Sequence, residues 1–99
     1  MTSATDVQHA RAQARLKLFQ PTTMRGPAGE ARAHLLDLSS TGALVHAAAP
    51  PMVAARVQIG CGGEMRAGRV VWVRGNRFGV TFAVPLTPAQ VAAAVAQAS

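Results

Sequence analysis

Met65-Arg-Ala-Gly-Arg-Val-Val-Trp-Val-Arg-Gly-Asn-Arg-Phe-Gly-Val-Thr-Phe82 is the stretch on which the reading of the fold turns. Two apolar runs, Met65 to Arg74 and Phe78 to Phe82, flank Gly75-Asn76, a two-residue hairpin signal. Phe78, Val80 and Phe82 recur at every second residue, the period that gathers side chains on one face of a strand. Val70-Val71-Trp72-Val73 is apolar on both faces, and Trp72 within it reads as a core residue. The segment is therefore expected to be a β-hairpin with a buried side.

Working outward, the same punctuated pattern continues in both directions. Leu16 to Met24 is β-like and ends at the turn Arg25-Gly-Pro-Ala-Gly29. Ala31, Ala33 and Leu35 alternate with Arg32, His34 and Leu36. Asp37-Leu-Ser-Ser-Thr-Gly42 reads as a polar tight turn, Ala43 to Ala47 as a short strand, and Pro50-Pro51 as its break. Residues 54–60 form another half-buried strand, followed by the loop Gly60-Cys-Gly-Gly63. About six strands joined by short turns predict an all-β domain, a small six-stranded antiparallel barrel. Thr87-Pro88 then offers an N-cap and a first helical proline. Ala89 to Ala98 is expected to form a short C-terminal helix, with Val91 and Val95 on one face, closing one end of the barrel. Residues 1–10 read as a flexible tail and 11–99 as one domain.

Composition narrows the function. A chain of 99 residues buries about 60–70% of its unfolded surface, enough for one core and little more. Apolar residues make up 49% and charged residues 14%, which argues against disorder. Ten Lys and Arg against four Asp and Glu leave a charge of +6, pointing to an anionic partner. All the basic residues but Lys17 are arginine, whose planar fork suits phosphate and the edge of guanine. Cys61 stands alone, so no internal disulfide forms. The first residues lack a signal-peptide core, and no apolar run approaches the roughly 20 residues that span a bilayer. A cytoplasmic protein without membrane insertion is expected. Phe19, Trp72, Phe78 and Phe82 all occupy strand positions that suit a core.

Two motifs carry the candidate chemistry, Arg11-Ala-Gln-Ala-Arg15 and Asp37-Leu-Ser39-Ser-Thr-Gly42. Taken singly, each has a plain structural reading. Arg11 and Arg15 suit a solvated pair before the first strand. Asp37 and Ser39 suit a turn bonded to its own backbone, with Gly42 at positive φ. His9, His34, His46 and Cys61 lack metal-ligand spacing, so neither a metal nor a cofactor is expected. Asp6, Glu30, Asp37 and Glu64 are single and scattered, and no nucleophile motif is present, so an enzyme is not expected.

Taken together, Arg-x-x-x-Arg before the first strand, Asp-x-Ser-x-x-Gly between the second and third, and Val-Val-Trp followed by Arg-Phe-Gly-Val-Thr-Phe resemble the PilZ domain family. The resemblance runs from about Arg11 to Phe82. It implies a PilZ-type β-barrel that binds cyclic di-GMP as ligand and acts as a receptor through an unidentified downstream protein. Carried onto this chain, Arg11 and Arg15 would take phosphate and guanine, Asp37 and Ser39 the other side of the ligand, and Gly42 would keep the turn compact. Trp72 and Arg77 are further candidate contacts. Two other readings stay open: a basic barrel for RNA or single-stranded DNA, which needs exposed rings for stacking, and a PilZ-like protein-interaction module that no longer binds nucleotide.

Overall fold

The computed structural model describes residues 16–98. Six strands are present: β1 Leu16–Gly26, β2 Gly29–Leu38, β3 Gly42–His46, β4 Arg56–Cys61, β5 Glu64–Arg74 and β6 Arg77–Phe82. One helix, α1, spans Pro88–Ala98. The expected elements are all there. The largest difference lies in the second motif, where Asp37 belongs to β2 and only the residues after Leu38 turn. The proposed tail, residues 1–10, lies outside the described residues, as do Arg11 and Arg15.

The strands close into an antiparallel barrel in the order β1-β2-β3-β6-β5-β4. The period-2 pattern fills it from inside with Leu35, Leu38, Val45, Ile59, Val70 and Phe78, each almost wholly buried. Phe78 and Phe82 are core residues as expected. Phe19 and Trp72 are not, being 69% and 37% exposed.

The seam between β1 and β4 is short. Only Met24 with Ile59 and Arg25 with Gln58 pair across it. Beyond them Thr22 continues the closure with its side chain, its Oγ1 donating to the Gly60 carbonyl at 2.7 Å. Helix α1 covers the barrel beside this seam, with Ala94 fully buried and packed near the positive-φ Gly62. Its start is a reciprocal capping box: Gln90 N donates to Thr87 Oγ1 at 3.1 Å and Thr87 N donates to Gln90 Oε1 at 2.8 Å.

Three irregularities in strand register decide where the functional side chains point. They fall at Lys17/Gln20 in β1, Leu35/Asp37 between β2 and β3, and Val70/Trp72 between β5 and β6. A bulge inserts one residue and reverses the facing of whatever follows. Leu35 and Leu38 are therefore both buried, although strict alternation would set them on opposite faces. In β5, Val70 is 1% exposed while Val71 and Trp72 are both exposed. Trp72, expected inside as part of an apolar strand, is instead at the surface. The bulge at Val71 turns it out.

Thr22→Val keeps the shape of the seam and removes its one side-chain hydrogen bond. Unfolding by urea is expected to show a loss of about 1 kcal/mol, with the slope unchanged.

Candidate functional site

Across the register, Lys17 opposes Asp37, Asp37 opposes Leu44, Leu44 opposes Gly79, and Gly79 opposes Trp72. These five residues form one row over five strand positions of the barrel's outer face. Gly79 is the saddle of the row. A Cβ there would lie 2.2 Å from Trp72 Nε1 and 2.7 Å from its Cε2, so the indole lies directly on the glycine backbone. Asp37 is half-buried and makes no side-chain hydrogen bond or ion pair among the described residues. A cleft of about 170 Å³ runs along this row, lined by Asp37, Ser39, Thr41, Gly42, Leu44, Trp72, Gly79 and Thr81, among others.

The turn at the end of the cleft is tied to itself and to its neighbours. Ser39 is 6% exposed, the one buried polar residue among those described. Its Oγ accepts from Gly42 N at 3.2 Å and Thr41 N at 3.3 Å, and it donates to the Gly42 carbonyl at 3.3 Å. Ser39 N donates to the same carbonyl at 2.9 Å. The carbonyls of Thr41 and Ser40 accept from Phe82 N and Leu86 N. Ser39 thus lines the cleft and also holds the loop, and its hydroxyl is already occupied.

Two sequence expectations about this turn need correction. Asp37 does not bond the turn's backbone, because the β2 bulge places it in the strand facing out. Gly42 does not adopt positive φ, since the described glycines that do are Gly29, Gly62, Gly63 and Gly75. Gly42 is required for space instead: a Cβ would lie 2.3 Å from the Val80 carbonyl oxygen.

The rows on either side carry charge. One residue pair toward the hairpin, His34, His46, Arg77 and Arg74 oppose one another in turn. Phe19 stacks on His34 with ring centroids 4.7 Å apart and planes 14° apart. Arg77 is exposed about 7 Å along β6 from Gly79, two strand residues, and it does not line the cleft. On the other side Gly42, Thr81, Arg69 and Arg56 oppose one another. Lys17, Leu44, Gly79 and Thr81 were not singled out from the sequence. Of these Gly79 and Thr81, within Arg-Phe-Gly-Val-Thr-Phe, lay in a quoted motif.

Other chemistry finds no support at the site. No group of three or more His, Cys, Asp or Glu could hold a metal among the described residues. Burial pushes the Cys61 thiol up from 9.0 to about 11, with nearby Arg66 pulling it weakly the other way. It is a packed core atom and not a nucleophile at neutral pH. No described helix is long and apolar enough to cross a membrane.

The model of the PilZ domain family matches residues 9–97. No curated protein matches the chain.

Because Trp72 is the sole tryptophan, Gly79→Ala is expected to displace the indole and change both the intensity and the wavelength of its emission. An unchanged spectrum in a folded variant would contradict the stacked geometry. Cys61 is expected to resist iodoacetamide at about pH 8 until the barrel unfolds, as followed by mass spectrometry against urea. Since the native thiol keeps its proton to about 11 and the unfolded one only to 9.0, stability is expected to fall as pH rises through that window.

Proposed function

The chain belongs to the PilZ domain family, and from that premise we propose that it is a receptor for cyclic di-GMP, working by binding and not by catalysis. The observation that carries this reading is the register at the start of β1. Leu16 pairs with Leu38 and Lys17 with Asp37. Arg15 directly precedes Leu16, so it is joined to the end of the row that holds Asp37 and Trp72. Arg11 stands five residues before Leu16 in the sequence, a span of at most about 18 Å for an extended chain. This register supports the reading that the two arginines of the first motif act together with the second motif.

The chemistry of the row suits a guanine. The Asp37 carboxylate is half-exposed and has no side-chain partner among the described residues, and it can accept from N1–H and N2–H₂ of one base together. Adenine presents no such pair. Trp72 offers a ring edge and face at the other end of the row. Arginine adds a fork for O6 and N7 or for a phosphate, or a flat cation against a purine. Lys17 adds positive charge directly across from Asp37.

The size of the cleft explains why an arginine segment is needed. Pockets that enclose a whole small molecule measure about 300–1,000 Å³, and this one measures about 170 Å³. It seats one base or one phosphate, leaving the rest of a cyclic dinucleotide above the surface. In this proposal Arg11 and Arg15 cover that remainder, ordering the leading segment against the barrel and making a new surface for a downstream protein. The entropy of ordering is set against charge-assisted contacts worth roughly 1.5–3 kcal/mol each. Ser39 and Gly42 act chiefly by keeping the turn in place, and Arg77 stands near enough to meet a phosphate that overhangs the row.

A second reading gains from one observation. Trp72 and Phe19 are exposed, so single-stranded nucleic acid has rings to stack on. Asp37, lining the same cleft as Trp72, counts against it, because a carboxylate repels a polyanion and rewards a guanine edge.

Calorimetric titration with cyclic di-GMP decides between them. Arg11→Ala, Arg15→Ala and Asp37→Asn are each expected to weaken binding at least about tenfold with the thermal melt unchanged. Ser39→Ala is expected to lower the melting temperature as well, since two backbone N–H groups lose their acceptor. Wild-type affinity in both arginine variants would refute the clamp. Binding to oligothymidylate with no preference for cyclic di-GMP would favour the second reading. No thermal shift with the ligand would favour an interaction module without nucleotide.

A further inference from the structure

A second concavity, larger than the cleft beside Asp37, lies elsewhere on the barrel. It measures about 840 Å³ and lies across β1, β4, β5 and β6, with Arg25, Arg56 and Arg69 on its walls. Two rungs of the sheet build it. Thr81 opposes Arg69, and Arg69 opposes Arg56; Ala67 opposes Gln58, and Gln58 opposes Arg25. The small residues Gly26, Ala67, Gly68 and Ala83 keep its floor low. Gly68 is obligatory there, because a Cβ would lie 2.6 Å from Val80 Cγ1 and 2.7 Å from the Thr81 carbonyl oxygen.

The charges in this groove are arranged at a cost. Arg56 and Arg69 are direct cross-strand partners on adjacent strands, and like charges so placed destabilise a sheet. Among the described residues neither has a carboxylate within ion-pair distance. The two ion pairs present are Arg25 with Glu30 and Arg66 with Glu64. The groove also has an apolar rim. Val71, which the bulge in β5 leaves 49% exposed, lines it. The turn Met52–Ala55 is hydrogen-bonded to Val70 and leads into Arg56, and it holds Met52 81% and Val53 57% exposed. That turn contains Ala54 at φ 75, the one described residue other than glycine with positive φ. Left-handed backbone at an alanine is strained, and this one lies two residues before Arg56 in the chain.

We propose that this groove docks an acidic peptide segment of a partner protein, with carboxylates bridging Arg56 and Arg69 and an apolar side chain against Val71 and the Met52-Val53 knuckle. An anion between opposed guanidiniums converts their repulsion into two charge-assisted contacts. The apolar rim calls for a side chain that inorganic phosphate lacks. No exposed ring lines the groove, so single-stranded nucleic acid has nothing to stack on. A second copy of the chain, itself at +6, would bring arginines to arginines across a two-fold contact. The groove meets the nucleotide cleft at Val71 and Thr81, which line both, yet the docking does not require the nucleotide reading to hold.

The test is fluorescence anisotropy of the full chain with a labelled peptide of alternating glutamate and leucine. A lysine-leucine peptide, a single-stranded oligonucleotide and anionic phosphatidylserine vesicles serve as competitors. The glutamate peptide is expected to bind saturably and to weaken with added salt. The double variant R56Q/R69Q is expected to bind at least about tenfold more weakly while melting at the same temperature as wild type or higher, because a repulsion is removed. Asp37→Asn, which the nucleotide reading needs and the groove does not, is expected to leave peptide binding unchanged. The proposal is overturned by an absence of saturable binding, by equal binding in the double variant, by a lower melting temperature there, by loss of binding in Asp37→Asn alone, or by a preference for the oligonucleotide or vesicles over the peptide.

Discussion

Everything distinctive about the outer face of this barrel depends on the strict two-residue alternation of β-strands being broken at three places. An unbroken β2 would carry Asp37 on the same face as Leu35, and an unbroken β5 would carry Trp72 on the same face as Val70. Leu35 is 0% and Val70 1% exposed. A carboxylate held on that face would lose its hydration with no partner in reach, at a cost of several kcal/mol. The bulges at Leu36 and Val71 send both side chains outward and let Leu38 take the inner place that Asp37 vacates. The irregularity in β1 then sets Lys17, and with it the chain leading to Arg15, opposite Asp37.

Such bulges are tolerable because the rest of the barrel is closely held. The inner face is filled by branched aliphatics and Phe78. Asn76 ties the β5–β6 hairpin to the end of β3 by donating its amide to the carbonyls of Ala47 and Ala48 at 3.1 and 3.0 Å. The seam at β1 and β4 is the shortest ladder of the barrel, with two residue pairs. The row that carries Asp37 and Trp72 runs over β2, β3, β6 and β5, which are joined by ladders of four to six pairs.

How much was legible beforehand follows from the same physics. The strands, the two-residue hairpin at Gly75-Asn76 and the helix at Thr87-Pro88 were readable because period, turn chemistry and capping are local. Inner positions before a bulge, such as Leu35 and Val70, were also readable. Positions after one were not, because a bulge is a disagreement in length between two paired strands and is invisible in either alone. Trp72 was accordingly placed inside, and Asp37 was assigned to a turn. Gly42 was recognised as necessary for the wrong reason, since only the paired strand reveals the Val80 carbonyl in its way. The Arg56–Arg69 opposition likewise exists only once β4 and β5 are in register.

The charge of the molecule gains meaning from this geometry. A uniform excess of +6 would attract any anion weakly and without preference. Here the rows divide the work. Asp37 puts a single negative charge amid the arginines, which costs affinity for a generic polyanion and favours a ligand that offers donors at that spot and negative charge around it. Arg56 and Arg69, separated from it by Thr81 and Val71, have no such counterweight within their own groove and remain open to plain carboxylates. The proposed nucleotide and peptide surfaces, side by side, differ in where one carboxylate sits, and that position is set by one extra residue in β2.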